Sequence, residues 1–125
     1  MNPAYLMTSA AIPKSQRISG IVIDAREHAV DPSMSPEVID MQGNLVYGTI
    51  SYSRSKAVNR GPVGYAYSMD DRNVSQRVGT NPLFVEAVGS LDDDVYITSM
   101  DAAKVRDAEK SFGVLSNCRV MLLLQ

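Results

Sequence analysis

The sequence predicts an α+β domain with a mixed or mostly antiparallel sheet, one clear helix at about 102–112 and a long irregular segment at 51–82. Three observations lead there. The runs Ile21-Val22-Ile23 and Val120-Met121-Leu122-Leu123-Leu124 are apolar at both parities, as strands buried on both faces are. Two extended stretches flank Met41-Gln42-Gly43-Asn44, which has the chemistry of a hairpin turn. One stretch has helical spacing, with Ala102, Val105, Ala108 and Phe112 three and four residues apart.

In chain order, residues 1–17 carry Pro3 and Pro13 and read as an arm, with one helical turn around Tyr5–Ala11; residues 18–125 form the single domain. Three β-branched residues in a row make 21–23 a strand. Asp31-Pro32-Ser33-Met34-Ser35-Pro36 is a loop, because its prolines lack donors and hold the preceding residues extended. Glu37–Asp40 and Leu45–Ile50 form the hairpin. In 51–82 a short helix is expected near Ser53–Asn59 and a loop across Asp70–Thr80, with Gly61-Pro62 and Asn81-Pro82 as breakers. Leu83–Val88 and Val95–Thr98 are strands separated by an acidic segment, Gly89–Asp94. Asp101 is placed as the N-cap of the helix 102–112 and Gly113 as its stop.

Composition bounds the function. The 125 residues suit one domain, and 45% hydrophobic with 21% charged residues is the globular norm. A net charge of −2 and a pI near 5.2 leave no positive field for nucleic acid or anionic lipid. Nucleic-acid binding is therefore not expected, although Arg26, Arg54, Lys56, Arg60, Arg72, Arg77 and several tyrosines are scattered through the chain. A single cysteine, Cys118, excludes an internal disulfide. No apolar run reaches the ~18–20 residues that a membrane-spanning helix needs. The N-terminus has neither the basic start nor the apolar centre of a secretory signal.

Each motif that suggests chemistry has a plainer explanation. Ile21-Val22-Ile23-Asp24 resembles the magnesium-holding strand of nucleotide-binding proteins, but the chain has no Gly-rich Lys-Ser/Thr loop. His28, the single histidine, lies near Asp24 and Asp31, yet no serine elbow accompanies it. Cys118 precedes an apolar run, as a small buried hydrophobe does. Asp92-Asp93-Asp94 with Asp70-Asp71 lacks the spacing of a calcium loop, and one His and one Cys are too few for zinc. No order singles out a pair among the 14 acidic residues for sugar hydrolysis. Asn73-Val74-Ser75 matches a glycosylation sequon, a pattern frequent by chance. No catalytic residue, cofactor or metal is expected.

Several segments, taken together and in order, resemble a known group. They are Gly20–Arg26, Met34–Asp40, Gly43–Gly48, Val63-Gly64-Tyr65-Ala66, Arg77-Val78, Asn81-Pro82-Leu83, Asp101–Arg106 and Cys118–Met121. Over residues 18–124 the set is similar to the C-terminal region of exported, lipoprotein-type Gram-negative envelope proteins, related to flagellum-associated FlgP- and FlgT-like proteins. The resemblance implies a non-catalytic structural or assembly domain. It would be periplasmic or outer-membrane-associated where an export signal preceded it, and cytoplasmic otherwise. It carries over no functional residue. The expected partners are further copies of the chain or other envelope proteins. Tyrosine and arginine favour interface centres, so Tyr52, Tyr65, Tyr67 and Arg72 are the expected contacts. The alternatives are an enzyme or small-ligand module with Asp24, Arg26, His28 and Asp40 lining a cleft, or a peptide- or glycan-binding module using the tyrosine-rich segment.

Overall fold

A computed structural model describes residues 17–125, so the expected arm and its helical turn lie outside the described residues. The elements run β1 (Gly20–Asp24), β2 (Val38–Asp40), β3 (Leu45–Tyr47), a 3-10 turn (Thr49–Ser51), α1 (Arg54–Arg60), β4 (Gly64–Ala66), α2 (Arg72–Val78), β5 (Pro82–Glu86), β6 (Gly89–Leu91), β7 (Asp94–Ile97), α3 (Ser99–Phe112) and β8 (Val120–Leu123).

They form two four-stranded sheets, ordered β4-β8-β1-β5 and β3-β2-β7-β6. In the first, every pairing is parallel, with Ile21 opposite both Leu83 and Val120. In the second, β2 runs parallel to β7, while β3 and β6 flank the pair antiparallel. Strands β1 and β8 are central, which is why they are apolar at both parities. Val22, Met121 and Leu123 face Val74 and Val78 of α2, with Ala66 in the same cluster. Ile21, Ile23, Val120 and Leu122 point the other way, into a larger core shared with Val38, Tyr47, Val95 and Ile97 of the second sheet and Ala102, Val105 and Ala108 of α3. The parallel sheet is thus the middle layer, between α2 and the mixed sheet with α3. Each large apolar side chain buried there contributes about 1.5–3 kcal/mol.

The expectation of one mixed or mostly antiparallel sheet with a single helix is overturned: the described residues hold two sheets and three α-helices. Strands that neighbour each other in sequence here often belong to different sheets, so the β2–β3 hairpin suggested an antiparallel continuation that the parallel sheet does not share. Residues 51–82, expected to be irregular apart from a short helix near 53–59, contain that helix as α1 and, beyond the expectation, β4 and α2. Helix α2 replaces the expected 70–80 loop. Asp71 caps it by accepting from Asn73 N–H, Val74 and Val78 form an i,i+4 stripe on the sheet, and Gly79 ends it at φ 75°. The helix lies so close to β1 that a Cβ on Gly20 would sit 2.6 Å from Val78 Cα. The acidic 89–94 segment supplies strand β6 and turns at Asp92, φ 55°.

Helix α3 starts three residues before the expected position. Thr98, not Asp101, is its N-cap, and its hydroxyl accepts the Asp101 N–H at 3.1 Å. Asp101 lies in the first turn, where its charge complements the helix dipole. Gly113 closes α3 in the left-handed conformation, as expected.

Candidate functional site

Two corners bring charged and polar side chains together. The first is at the C-terminal ends of the parallel strands, where open α/β sheets commonly bind ligands. Asp24 ends β1, and Arg26 folds back onto it with two guanidinium contacts of 2.9 Å; Arg26 N–H adds a third at 3.1 Å. These bonds hold the Asp24 carboxyl below its ordinary range and raise the Arg26 guanidinium in return. His28 Nε2 lies 3.1 Å from the Ala87 carbonyl oxygen, a bond in which Nε2 carries the proton. Asp24, Glu27, Glu86 and Ala87 line a hollow of only about 60 Å³.

Asp40 belongs to the other sheet. It is 2% exposed and accepts at 2.9 Å from both Gln42 and Asn44 N–H, while Arg106 approaches at 3.3 Å. The Asn44 N–H is the main reason its carboxyl is held low, against the opposing effect of burial. Asp40 therefore closes the β2–β3 turn. The cleft of Asp24, Arg26, His28 and Asp40 does not assemble, because each carboxylate is engaged locally in its own sheet. Among the described residues, no three His, Cys, Asp or Glu side chains are grouped to hold a metal ion.

The second corner lies where α1, α2 and β4 meet. Arg77, half-buried on α2, donates through Nη1 to the carbonyls of Gly61 (3.1 Å) and Cys118 (2.9 Å), and through Nη2 to that of Arg60. Tyr47, from β3, donates its hydroxyl to the Pro62 carbonyl. Burial pushes the Tyr47 hydroxyl up and the Arg77 guanidinium down, the latter helped by the positive charge of Arg60. No carboxylate lies within salt-bridge distance of Arg60 or Arg77 among the described residues. Both line a cleft of about 380 Å³ with Gly64, Tyr65, Asn73, Gln76 and Met121. On the far side of α1, Met34, Tyr52, Ala57, Val58 and Pro62, with Thr49 and the charged Arg54 among them, line most of a largely apolar groove of about 640 Å³.

The residues expected to make contacts are spread over these surfaces. Tyr52 lines the apolar groove, with its ring 5.4 Å from that of Tyr47. Tyr65 lines the Arg60–Arg77 cleft, and its hydroxyl both donates to Ser33 C=O (2.7 Å) and accepts from Ser33 N–H (3.0 Å), fastening the 33–35 loop. Tyr67 is exposed beside His28, and Arg72 is exposed at the start of α2. Sequence reasoning missed the role of Arg77. The one local signal is Gly64, a glycine beside a short apolar run, since a glycine in a strand often marks a close approach.

Residues 20–125 match the family model described as the second domain of Treponema pallidum Tp0624. The chain belongs to this family. The match covers every strand and helix from β1 to β8, so the two-sheet architecture is that of a Tp0624 second-domain member. It does not speak to FlgP- or FlgT-like proteins or to lipoproteins. Comparison with curated proteins found no match. No helix among the described residues is long and apolar enough to cross a membrane.

Proposed function

We propose that this chain is a non-catalytic assembly domain of the bacterial cell envelope that associates with further copies of itself through the apolar groove beside α1. One observation carries the reading. Met34 and Val58, which line the groove, are 86% and 76% exposed, and Ile50, next to the lining residue Thr49, is 86% exposed. Large apolar side chains clustered on a surface mark contact sites, and tyrosine is favoured at the centre of such contacts. Tyr52 is the tyrosine of this groove. A two-fold contact would set the same patch against itself and cover all three residues at once. A net charge of −2 opposes such pairing only weakly.

The envelope location and the flagellar association are supported only by the ordered similarity to FlgP- and FlgT-like proteins. Periplasmic or outer-membrane-associated placement follows from that similarity where an export signal preceded the chain. The engaged state of Asp24, His28 and Asp40 supports the non-catalytic reading.

Sedimentation velocity at micromolar concentration tests the association. The wild-type chain is expected to sediment as an oligomer, and the double variant Ile50→Glu, Val58→Glu as a folded monomer. A monomeric wild type, or an oligomer unmoved by the two charges, would retire the proposal.

A further inference from the structure

The corner between α1, α2 and β4 has the features of a second binding surface, separate from the apolar groove and independent of the assembly role. We propose that it captures the free carboxylate of an extended peptide, which adds as a strand to the open side of β4.

Strand β4 is an edge. It pairs with β8 on one side and with no strand on the other among the described residues. Its Ala66 carbonyl accepts from Leu124 N–H at 2.8 Å, toward β8. Backbone groups alternate sides along a strand, so the N–H and C=O of Tyr65 face the open edge. Tyr65 also lines the cleft, which brings that edge and the two arginines to one place. An open edge with a few pockets beside it is the usual platform for peptide strand addition.

The cleft supplies the charge. Arg77 is fixed by three carbonyl acceptors, which orient its guanidinium without neutralising it. Both Nη1 hydrogens and one on Nη2 are engaged, which leaves Nε–H and the second Nη2–H for a carboxylate, and a held guanidinium loses little freedom when it takes one up. Arg60 adds a second positive charge on the same cleft. Burial and the neighbouring Arg60 both disfavour the charge on Arg77, and a bound anion would offset both. Gly64 makes the juxtaposition feasible: a Cβ there would lie 2.6 Å from Arg77 Nε and 2.8 Å from Met121 Cε. With no side chain at that position, the guanidinium lies directly against the start of the edge strand. Asn73 and Gln76, both exposed on α2, offer amides to a peptide backbone. A volume of about 380 Å³ suits the end of a chain, not a folded partner.

The test is amide-resolved NMR titration of the full chain with three probes: a degenerate hexapeptide pool with free C-termini, the same pool amidated, and inorganic phosphate. The free-carboxylate pool is expected to give saturable shifts at Gly64, Tyr65 and Arg77, with the amidated pool about tenfold weaker. Arg60→Ala is expected to weaken the free pool by a similar factor. Arg60 is exposed and only its backbone carbonyl, which the variant retains, is hydrogen-bonded in the corner, so this variant should keep the wild-type spectrum elsewhere. Equal binding of both pools, absence of shifts along β4, or phosphate acting on the arginines while the peptides do not would each overturn the proposal.

Discussion

The two polar corners are built from similar residues and end in opposite states. At the end of β1, Arg26 meets Asp24 and both charges are satisfied in place. At the β4 corner, Arg77 meets only carbonyl oxygens, and its charge is held in position without a counter-charge. The first pair is partly exposed, and such ion pairs contribute about 0–1 kcal/mol. The second is a bracket that joins three distant pieces of chain. Arg26 is answered by a carboxylate two residues away, whereas Arg77 is answered by the backbone.

That contrast is open to direct attack. Arg77→Ala should be the most damaging change at either corner, because three carbonyls lose their donor at once; a loss of about 3 kcal/mol is expected in urea unfolding. A loss no larger than that of an ordinary surface substitution would break the comparison. Tyr47→Phe removes one donor from the same corner, at Pro62, and should cost about 1–2 kcal/mol by the same measurement.

The carboxylates sharpen the contrast through pH. Asp24 and Asp40 are both held below their ordinary value of 3.8 in the fold. Depressed carboxyls add stability that is complete above the unfolded value and disappears as pH falls through the folded one. The melting temperature should therefore drop as pH is lowered from near 3.8 downward, and Asp40→Asn should make that drop shallower. The smallest effect belongs to His28→Ala, which removes one partly exposed bond to Ala87 and should cost under about 1 kcal/mol. Loss of a ligand-induced melting shift in that variant would reopen the first corner as a site.

The sequence announces the elements whose pattern is local. The two central strands show as unbroken apolar runs, the β2–β3 hairpin shows through Gly43-Asn44, and α3 through its stripe and Gly113. Helix α2 is hidden because only Val74 and Val78 mark its buried face, between polar residues that read as loop. The order β4-β8-β1-β5 is hidden for a different reason: each parallel pairing joins segments separated by elements of the other sheet or by a helix, and no local pattern encodes such a partner. The cleft is less legible still. Arg60, Gly64 and Arg77 carry no shared motif, and it takes the crossing of α2 over the edge strand to make neighbours of them. Tyr52 and Tyr65, expected as contact residues, are both partly buried against the core, and the sequence has no pattern for the separate hollows into which the fold divides them.

Cys118 gives the Arg77 bracket a temporal meaning. Its carbonyl is one of the three that Arg77 holds, and it lies just ahead of β8, the strand that separates β1 from β4. On a ribosome, the tail of α1 and the whole of α2 emerge well before that carbonyl does. The bonds to Arg60 and Gly61 need only α1 and α2, but the third waits for residue 118, so a chain shortened before Cys118 would lose that bond together with the strand between β1 and β4.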